Sequence, residues 1–261
     1  MSRKRELVGR VAIVTGASAG IGRATARVLA GAGMRVAVCA RRRERLERLA
    51  AEISAAGGEA AVYRLDVTDA SAVRAMVDET ASRWGRIDVL VNNAGRGLSA
   101  TVEDTKPDEL RALFELNVMA VLTATQAVLP WMRKQGRGHI INVSSIVGRR
   151  GVPFRGAYSA TKFALGGLGE ALRVELAGTG ISVSLVYPIG TATEFHEAEA
   201  RRAGPGPHGP IQSAEHVARC ILRCVRWPRP EVYPFRPSWL LSVASVIAPR
   251  LTDLGLRRLI R

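Results

Sequence analysis

Lysine, cysteine and aromatic residues are scarce in this chain of 261 residues. All but four of the 38 basic residues are arginines, the exceptions being Lys4, Lys106, Lys134 and Lys162. The three cysteines, Cys39, Cys220 and Cys224, have no cluster of His or further Cys beside them, so we expect free thiols and no metal. Aromatic residues make up 5% of the chain, which argues against a surface that stacks on single-stranded nucleic acid.

Long apolar runs are also missing. No stretch of 18 apolar residues occurs, so the sequence predicts no membrane-spanning helix. The basic N-terminal segment lacks the apolar core of a signal peptide. Apolar residues nevertheless make up 47% of the chain, enough for a full core. We therefore expect residues 1–261 to form one domain, and free thiols without a signal peptide predict a cytoplasmic protein.

Positive charge is in excess, with 38 Lys and Arg against 23 Asp and Glu and a net charge of +15. Such a surface attracts nucleic acid, anionic lipid or anionic cofactors. We favour the simpler interpretation, in which arginines are spread over solvated faces, and we expect no nucleic-acid partner.

Apolar segments alternate with amphipathic ones along most of the chain. The predicted strands are 11–15, 35–40, 60–65, 89–91, 139–143 and 181–186, and the predicted helices are 21–32, 43–56, 70–84, 107–134 and 157–177. Strands that are apolar throughout and separated by helices predict a parallel sheet covered on both faces. The expected fold class is α/β, a three-layer α-β-α doubly wound parallel sheet of the Rossmann type.

The regular alternation of predicted strands and helices ends at residue 186. Residues 190–212 are rich in Gly and Pro, and we expect a lid or binding loop there. The tail, residues 237–261, contains an apolar stretch, Trp239–Ala248, followed by arginines. It is either an interfacial amphipathic helix or a segment that packs over a substrate pocket or a subunit interface. We favour packing over peripheral membrane contact, since ten apolar residues are too few to span a bilayer.

A glycine-rich turn follows the first strand and opens the first helix. Glycines allow a tight turn and a close approach to a pyrophosphate, and the helix directs free N–H groups at that anion. The predicted contacts are Gly16, Ser18, Ala19, Gly20, Ile21 and Gly22. The alternative is a turn that serves packing alone.

The end of the second strand bears on the choice of cofactor. A carboxylate there binds the ribose hydroxyls of NAD, but the chain has Ala40 followed by Arg41–Arg43. A guanidinium suits a 2′-phosphate, so NADP(H) is favoured, with NAD(H) as the alternative. We expect Arg41 to make this contact, unless these arginines only begin a solvated helix. Asp66 and Val67 are predicted to touch the adenine; the alternative for Asp66 is a local turn.

Tyr158 and Lys162 lie one helical turn apart, thirteen residues after Ser145. A free tyrosine has a pKa near 10, and a nearby cation lowers it. Side chains at i and i+4 share a helix face, so Lys162 is placed to act on Tyr158. The alternative is a helix face with a solvated lysine.

These segments together resemble the short-chain dehydrogenase/reductase family, in its compact single-domain branch. The matching motifs are TGASAGIG (15–22), NNAG (92–95), the Asn of ELNV (Asn117), VSS (143–145), YSATK (158–162) and VYP (186–188). They occur in order and at family-like spacing over roughly residues 8–195.

The resemblance implies roles for individual residues. Tyr158 is expected to donate a proton to a carbonyl or act as base on an alcohol. Lys162 is expected to lower the pKa of Tyr158 and bind the nicotinamide ribose, and Ser145 to hold the substrate oxygen. Asn117 is expected to bend its helix and hold a water linked to Lys162. Asn93 and Gly95 are expected to line the cofactor cleft, and Asn92 to brace the sheet.

One departure from the family concerns the segment after the sixth strand. The family has Pro-Gly there, whereas this chain has Pro188 followed by Ile189. Ile189 removes backbone freedom where the carboxamide of nicotinamide is expected to dock. We still expect cofactor contacts from Pro188, Ile189, Thr191 and Thr193.

The sequence thus predicts an NADP(H)-dependent oxidoreductase that acts on a carbonyl or secondary alcohol of a hydrophobic small molecule. The family commonly assembles as homodimers or homotetramers. Candidate substrate walls are Arg96–Leu98, Ile146, Val147, Val152–Arg155, Ile189, Phe195 and His196. The alternative class is a non-catalytic nucleotide-sensing or nucleic-acid-binding module on the same fold.

Overall fold

The computed structural model describes residues 6–194, 200–201 and 210–257. Its strands are β1 Val11–Thr15, β2 Arg35–Ala40, β3 Glu59–Arg64, β4 Val89–Asn92, β5 Leu98–Ser99, β6 Gly138–Val143, β7 Ile181–Val186, β8 Thr191–Ala192, β9 Ala200–Arg201, β10 Gln212–Ser213 and β11 Glu231–Val232. Its helices are α1 Gly20–Gly31, α2 Arg43–Ala55, α3 Ala70–Trp84, α4 Pro107–Phe114, α5 Ala120–Lys134, α6 Gly156–Glu175, α7 Ala214–Arg226, α8 Ser238–Ile247 and α9 Pro249–Arg257.

Seven strands form one parallel sheet in the order β3-β2-β1-β4-β6-β7-β11. The central strand β1 pairs with β2 on one side and β4 on the other; Val14 lies opposite both Val38 and Val91. The chain therefore winds outward from β1 in one direction, then returns to β4 and continues in the other. The predicted doubly wound sheet is confirmed, and its switch point, where such folds bind ligands, lies between the carboxyl ends of β1 and β4.

Alternating side chains of each strand enter two separate cores. Ala12 and Val14 pack in a core with residues of α1, α2 and α7, whereas Val11 and Ile13 pack in the opposite core with residues of α3 and α5. Successive side chains of a strand point to opposite faces. Both faces of β1 are therefore buried, which explains why this strand is apolar at every position before Thr15.

The longest helical stretch, Pro107–Lys134, is interrupted by a π-helical segment at Glu115–Met119, with Asn117 at its centre. Leu113, before the interruption, packs with Leu98 and Ala157, while Ala124 and Val128, after it, pack against the sheet. By length and composition alone the stretch suffices to cross a membrane, with mean hydropathy 1.5 over its most apolar window. In the fold it is a core helix that covers one face of the sheet.

Short strands connect the loops around the carboxyl edge of the sheet. β8 pairs with β10, and β5 pairs with β9. None of these four was predicted, because two-residue strands leave no periodic signal. Most of the expected lid loop, residues 195–199 and 202–209, lies outside the described residues.

A buried carboxylate fixes the opposite edge of the sheet. Asp88 accepts hydrogen bonds from the Val11 backbone N–H at 2.9 Å, from Arg10 at 3.0 Å and from Arg86 at 2.6 Å through two nitrogens. Burial by itself raises the pKa of Asp88, but the hydrogen bonds from Arg86 and Val11 outweigh burial and hold the pKa below its usual value. Asp88 thereby ties the start of β1 to the start of β4.

We predict that Asp88→Asn lowers the free energy of unfolding at pH 7 by about 3 kcal/mol, because Arg86 and Arg10 lose their buried partner. A lowered carboxyl pKa stabilises the fold above the unfolded-state value and is lost as pH falls through the folded-state value. Urea unfolding should therefore show the gap between variant and parent closing below about pH 4. Asp108→Asn, at an exposed surface pair, is the control. If the difference in unfolding free energy between Asp88→Asn and the parent stays constant down to pH 2, the stabilising role of the Asp88 carboxylate is contradicted.

Candidate active site

A cleft of about 1200 Å³ opens at the carboxyl edge of the sheet. It runs from the glycine turn after β1, past the end of β2, across the ends of β6 and β7, to the tail helices α8 and α9. Nearly all of the predicted cofactor contacts line it: Gly16, Ser18, Ala19, Gly20, Ile21, Arg41, Asp66, Val67, Asn93, Gly95, Tyr158, Lys162, Pro188, Ile189, Thr191 and Thr193. Of the predicted site residues, Gly22 and Asn117 lie outside its lining.

The glycine turn has no room for side chains. Gly16 has φ +66°, and a Cβ on it would lie 2.8 Å from the Ala94 Cα. A Cβ on Gly22 would lie 2.4 Å from the Gly16 carbonyl oxygen and 2.5 Å from the Asn93 side-chain nitrogen. Asn93 in turn donates from its amide to the Thr15 carbonyl at 3.0 Å. Gly16 thus lets the turn pack against the backbone of Ala94, and Gly22 lets it pack against Asn93.

Helix α1 begins at this turn with its first N–H groups uncapped by a side chain. The residue at its N-cap is Ala19, which has no side-chain acceptor, and α1 has no acidic residue in its first turn. A helix start of this kind, exposed in a cleft, fits the pyrophosphate of a dinucleotide. The residues present therefore fit the cofactor that the sequence predicts.

The arginines after β2 differ in their contacts, and the expected contact of Arg41 with a 2′-phosphate stays a prediction. Arg42 donates from Nε and Nη2 to the Ser18 hydroxyl at 3.2 and 3.0 Å. Arg41 points outward, with 78% of its side chain exposed, and makes a 3.7 Å ion pair with Asp66. Both line the cleft, but Arg42, rather than Arg41, connects the end of β2 with the glycine turn. Arg42 lies at the N-cap of α2 in an extended conformation. The sequence alone does not show that this conformation directs Arg42, and not Arg41, toward the glycine turn.

A carboxylate already accompanies these arginines. Glu194 accepts from Arg42 at 3.0 Å and also pairs closely with Arg45. Hydrogen bonds from Arg45 and Arg42 lower the pKa of Glu194. Glu194 also lines the cleft, so in this structure the Arg42 guanidinium is already paired with a carboxylate.

Asp66 forms the local turn that was the alternative interpretation of this residue, and its expected contact with adenine stays a prediction. Its carboxylate accepts from the backbone N–H and the hydroxyl of Thr68, at 3.0 and 2.9 Å, which is a local turn. These hydrogen bonds lower the pKa of Asp66, and the one from the Thr68 backbone N–H has the largest effect. It also lines the cleft together with Val67 and Thr68, so the turn brings these residues to the site.

Tyr158 and Lys162 lie together on the inner face of α6 and are both buried. The Lys162 Nζ is 5.7 Å from the centre of the Tyr158 ring and donates to the Val143 carbonyl oxygen at 3.0 Å. Burial lowers the pKa of Lys162 to about 8. The solvated lysine that the sequence left open as an alternative is therefore wrong, and at neutral pH an ammonium group lies beside the phenol.

The two serines at the end of β6 have different surroundings. Ser144 is buried and donates to the Lys162 carbonyl oxygen at 3.1 Å, which joins β6 to α6. Ser145 lies in the cleft with Tyr158, and its Oγ accepts from the Val147 N–H at 3.4 Å. Because that contact uses only a lone pair, the Ser145 hydroxyl hydrogen is left to point toward a ligand.

Asn117 is fully buried in the π-helical segment. Its Oδ1 accepts from the Arg96 N–H, and its Nδ2 donates to the Arg96 carbonyl and the Thr161 hydroxyl, each at 3.0 Å. The side chain therefore fixes the loop after β4 beside α6, and its expected water-holding role stays a prediction. Asn92, in contrast, bonds to Asn142 at 2.9 Å across neighbouring strands, the bracing contact that the sequence suggested.

The segment with the unusual isoleucine follows β7. The Pro188 carbonyl accepts from the Ile146 N–H, and the Ile189 carbonyl accepts from the Thr191 hydroxyl, both at 2.9 Å. Thr193 approaches the glycine turn so closely that a Cβ on Gly20 would lie 2.9 Å from its methyl group. These contacts tie the segment to Ile146 after β6 and to the glycine turn after β1.

Apolar side chains predominate at the end of the cleft beyond Tyr158, although two arginines and two serines also line it. The lining there comprises Arg96, Ser99, Ile146, Val147, Val152, Pro153, Phe154, Arg155, Phe235, Pro237, Ser238, Leu241 and Leu256. Phe154 has φ +64°, a strained backbone conformation for a bulky residue and one that often occurs at functional sites. The predicted walls Phe195 and His196 lie outside the described residues, and Leu98 is buried in a separate cluster.

Sequence reasoning missed several residues of the cleft. Thr68, Glu194, Leu241 and Leu256 all line it, and Arg42 was noted only as a neighbour of Arg41. The tail was expected to pack over a substrate pocket or a subunit interface, but an apolar helix does not reveal which of its residues do so. Within the described ranges, no group of three or more His, Cys, Asp or Glu side chains is arranged to hold a metal ion.

The fold and the cleft define a doubly wound α/β protein with a nucleotide-type crevice at its switch point. A family model described as short chain dehydrogenase matches residues 10–203. The chain belongs to the short-chain dehydrogenase/reductase family and is an oxidoreductase of that family. The alternative of a non-catalytic module is therefore not supported.

Relatives of known sequence agree with this assignment. The chain is 36% identical to a 3-oxoacyl-[acyl-carrier-protein] reductase of Thermotoga maritima, over 83% of this chain and 90% of that protein. It is 33% identical to the ketoacyl reductase HetN of Nostoc, over 87% and 78%. A 38% identity to the glycine betaine reductase of Emericella nidulans covers 86% of this chain but only 18% of that longer protein.

Solved structures extend the comparison to cofactors. A short-chain dehydrogenase/reductase from Burkholderia phymatum in complex with NAD has TM-score 0.85 and 26% identity, covering 97% of this chain and 96% of that one. A metagenomic short-chain oxidoreductase in complex with NADP has TM-score 0.74 and 35% identity, covering 88% and 98%. These neighbours support a nicotinamide cofactor for the chain.

We predict that Lys162→Met stabilises the fold at pH 7 by up to about 3 kcal/mol, since a buried ammonium is costly. The folded-state pKa near 8 lies below the ordinary 10.5. The cost is therefore fully present below pH 8 and disappears as pH rises toward 10.5. Urea unfolding at several pH values should show the advantage of the variant shrinking over that window. The exposed Lys134→Met is the control; parallel pH profiles for Lys162→Met and the parent would contradict the prediction.

Proposed function

We propose that the protein is an NADP(H)-dependent oxidoreductase that interconverts a carbonyl group and a secondary alcohol on an apolar small molecule. The observation that supports this most is the shared cleft. Tyr158, Lys162 and Ser145 line its middle, and Ser18 with Arg42 line the end at the glycine turn. Hydride transfer to a carbonyl needs a proton source beside a dinucleotide site, and this cleft contains candidates for both.

A bound nicotinamide would supply a hydride to the carbonyl carbon in reduction and would accept one from the alcohol carbon in oxidation. The Tyr158 hydroxyl donates a proton to the carbonyl oxygen in reduction and takes it back in oxidation. The Ser145 hydroxyl donates a hydrogen bond to the same oxygen and stabilises the negative charge that develops there. The ammonium of Lys162 favours the phenolate form of Tyr158. Asn117 acts through position, by holding the Arg96 backbone and Thr161.

The preference for NADP(H) rests on charge at the end of β2. No carboxylate follows that strand, and Arg41 and Arg42 both line the cleft. Arg42 and Ser18 offer a guanidinium and a hydroxyl, both suited to a phosphate, and a bound 2′-phosphate would replace Glu194 as the partner of Arg42. A ribose 2′-hydroxyl offers such a site no charge to pair with, so a 2′-phosphate is the better ligand.

The preference for an apolar substrate rests on the far end of the cleft. Val147, Val152, Phe154, Leu241 and Leu256 line that end. Pockets of this composition select hydrophobic ligands and orient them through a few polar groups, here Tyr158 and Ser145. A single catalytic domain, assembly as a homodimer or homotetramer, and a cytoplasmic location stay predictions.

We predict that Tyr158→Phe lowers kcat with a panel of apolar ketones and alcohols by about 10²–10⁴-fold, because the proton donor is removed. NADPH binding should change by less than about threefold, since the ring remains. Tyr63→Phe makes the same chemical change on β3, outside the cleft, and should leave kcat unchanged. Turnover by Tyr158→Phe equal to that of the parent would eliminate Tyr158 as the donor.

We predict that Arg42→Ala weakens NADPH binding by about 10–100-fold, the loss expected for a charge-assisted bond. NADH binding should change little, because NADH lacks the 2′-phosphate. Calorimetric titration with both cofactors measures the difference, with Arg41→Ala tested in parallel. Arg43→Ala is the control, as Arg43 pairs with Glu47 on α2 outside the cleft. Equal losses for both cofactors would show that Arg42 supports only the fold of the turn.

A further inference from the structure

Helix α8 has its polarity reversed relative to a surface helix of a soluble protein. Such helices bury an apolar stripe and expose polar residues. In α8 the only buried residues are Ser238 and Ser245. Its large apolar side chains face outward, with exposed fractions of 51%, 61%, 81% and 77% for Trp239, Leu240, Val246 and Ile247.

Helix α9 directly follows α8 and also exposes apolar side chains. None of its described side chains is buried, and Leu251 and Leu254 are 71% and 60% exposed. We use the name tail patch for the six residues Trp239, Leu240, Val246, Ile247, Leu251 and Leu254. Apolar surface concentrated on two consecutive helices in this way marks a contact site for another apolar body.

Positive charge borders the tail patch. Helix α8 contains no charged residue, and exposed arginines flank it at Arg236, Arg250 and Arg257. The acidic residue of α9, Asp253, is paired with Arg150. The whole chain has a net charge of +15. A partner that covers the tail patch must therefore accept apolar side chains and arginines side by side.

An anionic bilayer meets that requirement better than a second copy of the chain. Two copies in contact through their tail patches would bring the arginines of both borders together, and like charges repel. At an anionic bilayer the apolar side chains enter the acyl region while the arginines reach the headgroups. Trp239 suits this boundary, since tryptophan concentrates at membrane–water interfaces.

We propose that α8 and α9 dock the protein on the surface of an anionic membrane. The sequence favoured packing for this tail, and one side of it does pack, since Ser238, Leu241 and Leu256 line the cleft. The other side is the tail patch. The same two helices thus separate the substrate end of the cleft from the bilayer. If the substrate is apolar, which rests on the proposed function, it reaches the cleft from the lipid phase past these helices.

The test is co-sedimentation of the full chain with phosphatidylcholine vesicles, with and without phosphatidylglycerol. We expect binding to the anionic vesicles only, weakening as salt is raised. The double variant Trp239→Ser/Ile247→Ser should bind at least about tenfold more weakly, because two apolar side chains no longer enter lipid. The control Val102→Ser/Val174→Ser, which changes exposed apolar residues elsewhere (79% and 72% exposed), should bind as the parent does.

Two outcomes would overturn the proposal. The first is a parent protein that stays in solution with both vesicles, and the second is a tail-patch variant that binds as well as the parent. If the first outcome is found and light scattering shows a dimeric parent but a monomeric variant, a second copy covers the tail patch instead of a membrane. Turnover of a water-soluble ketone is measured separately, so failure of the proposed reaction is distinguishable from failure of docking.

Discussion

The cost of burying the Lys162 ammonium is the constraint around which the site is organised. An ammonium removed from water is unfavourable unless it is solvated by fixed dipoles. The Val143 carbonyl at 3.0 Å supplies one such dipole. This requires the last residue of β6 to lie directly beneath α6, and Ser144 holds the two elements together through the Lys162 carbonyl. Gly148 allows β6 and α6 to come this close, since a Cβ on it would lie 2.7 Å from both the Lys162 carbonyl oxygen and the Ser144 hydroxyl.

The same constraint explains why function and stability oppose each other at this position. A methionine would fill a comparable volume without a charge, and it would suit the buried surroundings of α6. It would also remove the cation that the proposed reaction requires beside Tyr158. Lys162 is therefore unfavourable for folding stability but required by the proposed chemistry. Such a conflict is typical of sites where burial shifts pKa values.

Much of the fold was predictable because buried parallel strands are apolar throughout and end at polar or glycine residues. β1, β2 and β7 begin and end at the predicted residues. The site was predictable where chemistry depends on spacing, as for Tyr158 and Lys162. It was less so where local backbone conformation decides, as for Arg42, which reaches Ser18 from an extended N-cap. The orientation of α8 was not predictable, because a nearly uniform apolar helix does not reveal which face is buried.

The π-helical segment at Glu115–Met119 has a consequence for how this protein tolerates change. A π turn accommodates one extra residue within a helix, and each residue rotates an α-helix by about 100°. Deleting one residue here would restore a regular helix but turn Leu113 away from Ala157, or Val128 away from the sheet. The segment can thus accept substitutions but not a change in length. The rotation between the helices before and after this segment is fixed by two requirements. Each helix must pack in its own core, and the Asn117 side chain must stay hydrogen-bonded to the Arg96 backbone.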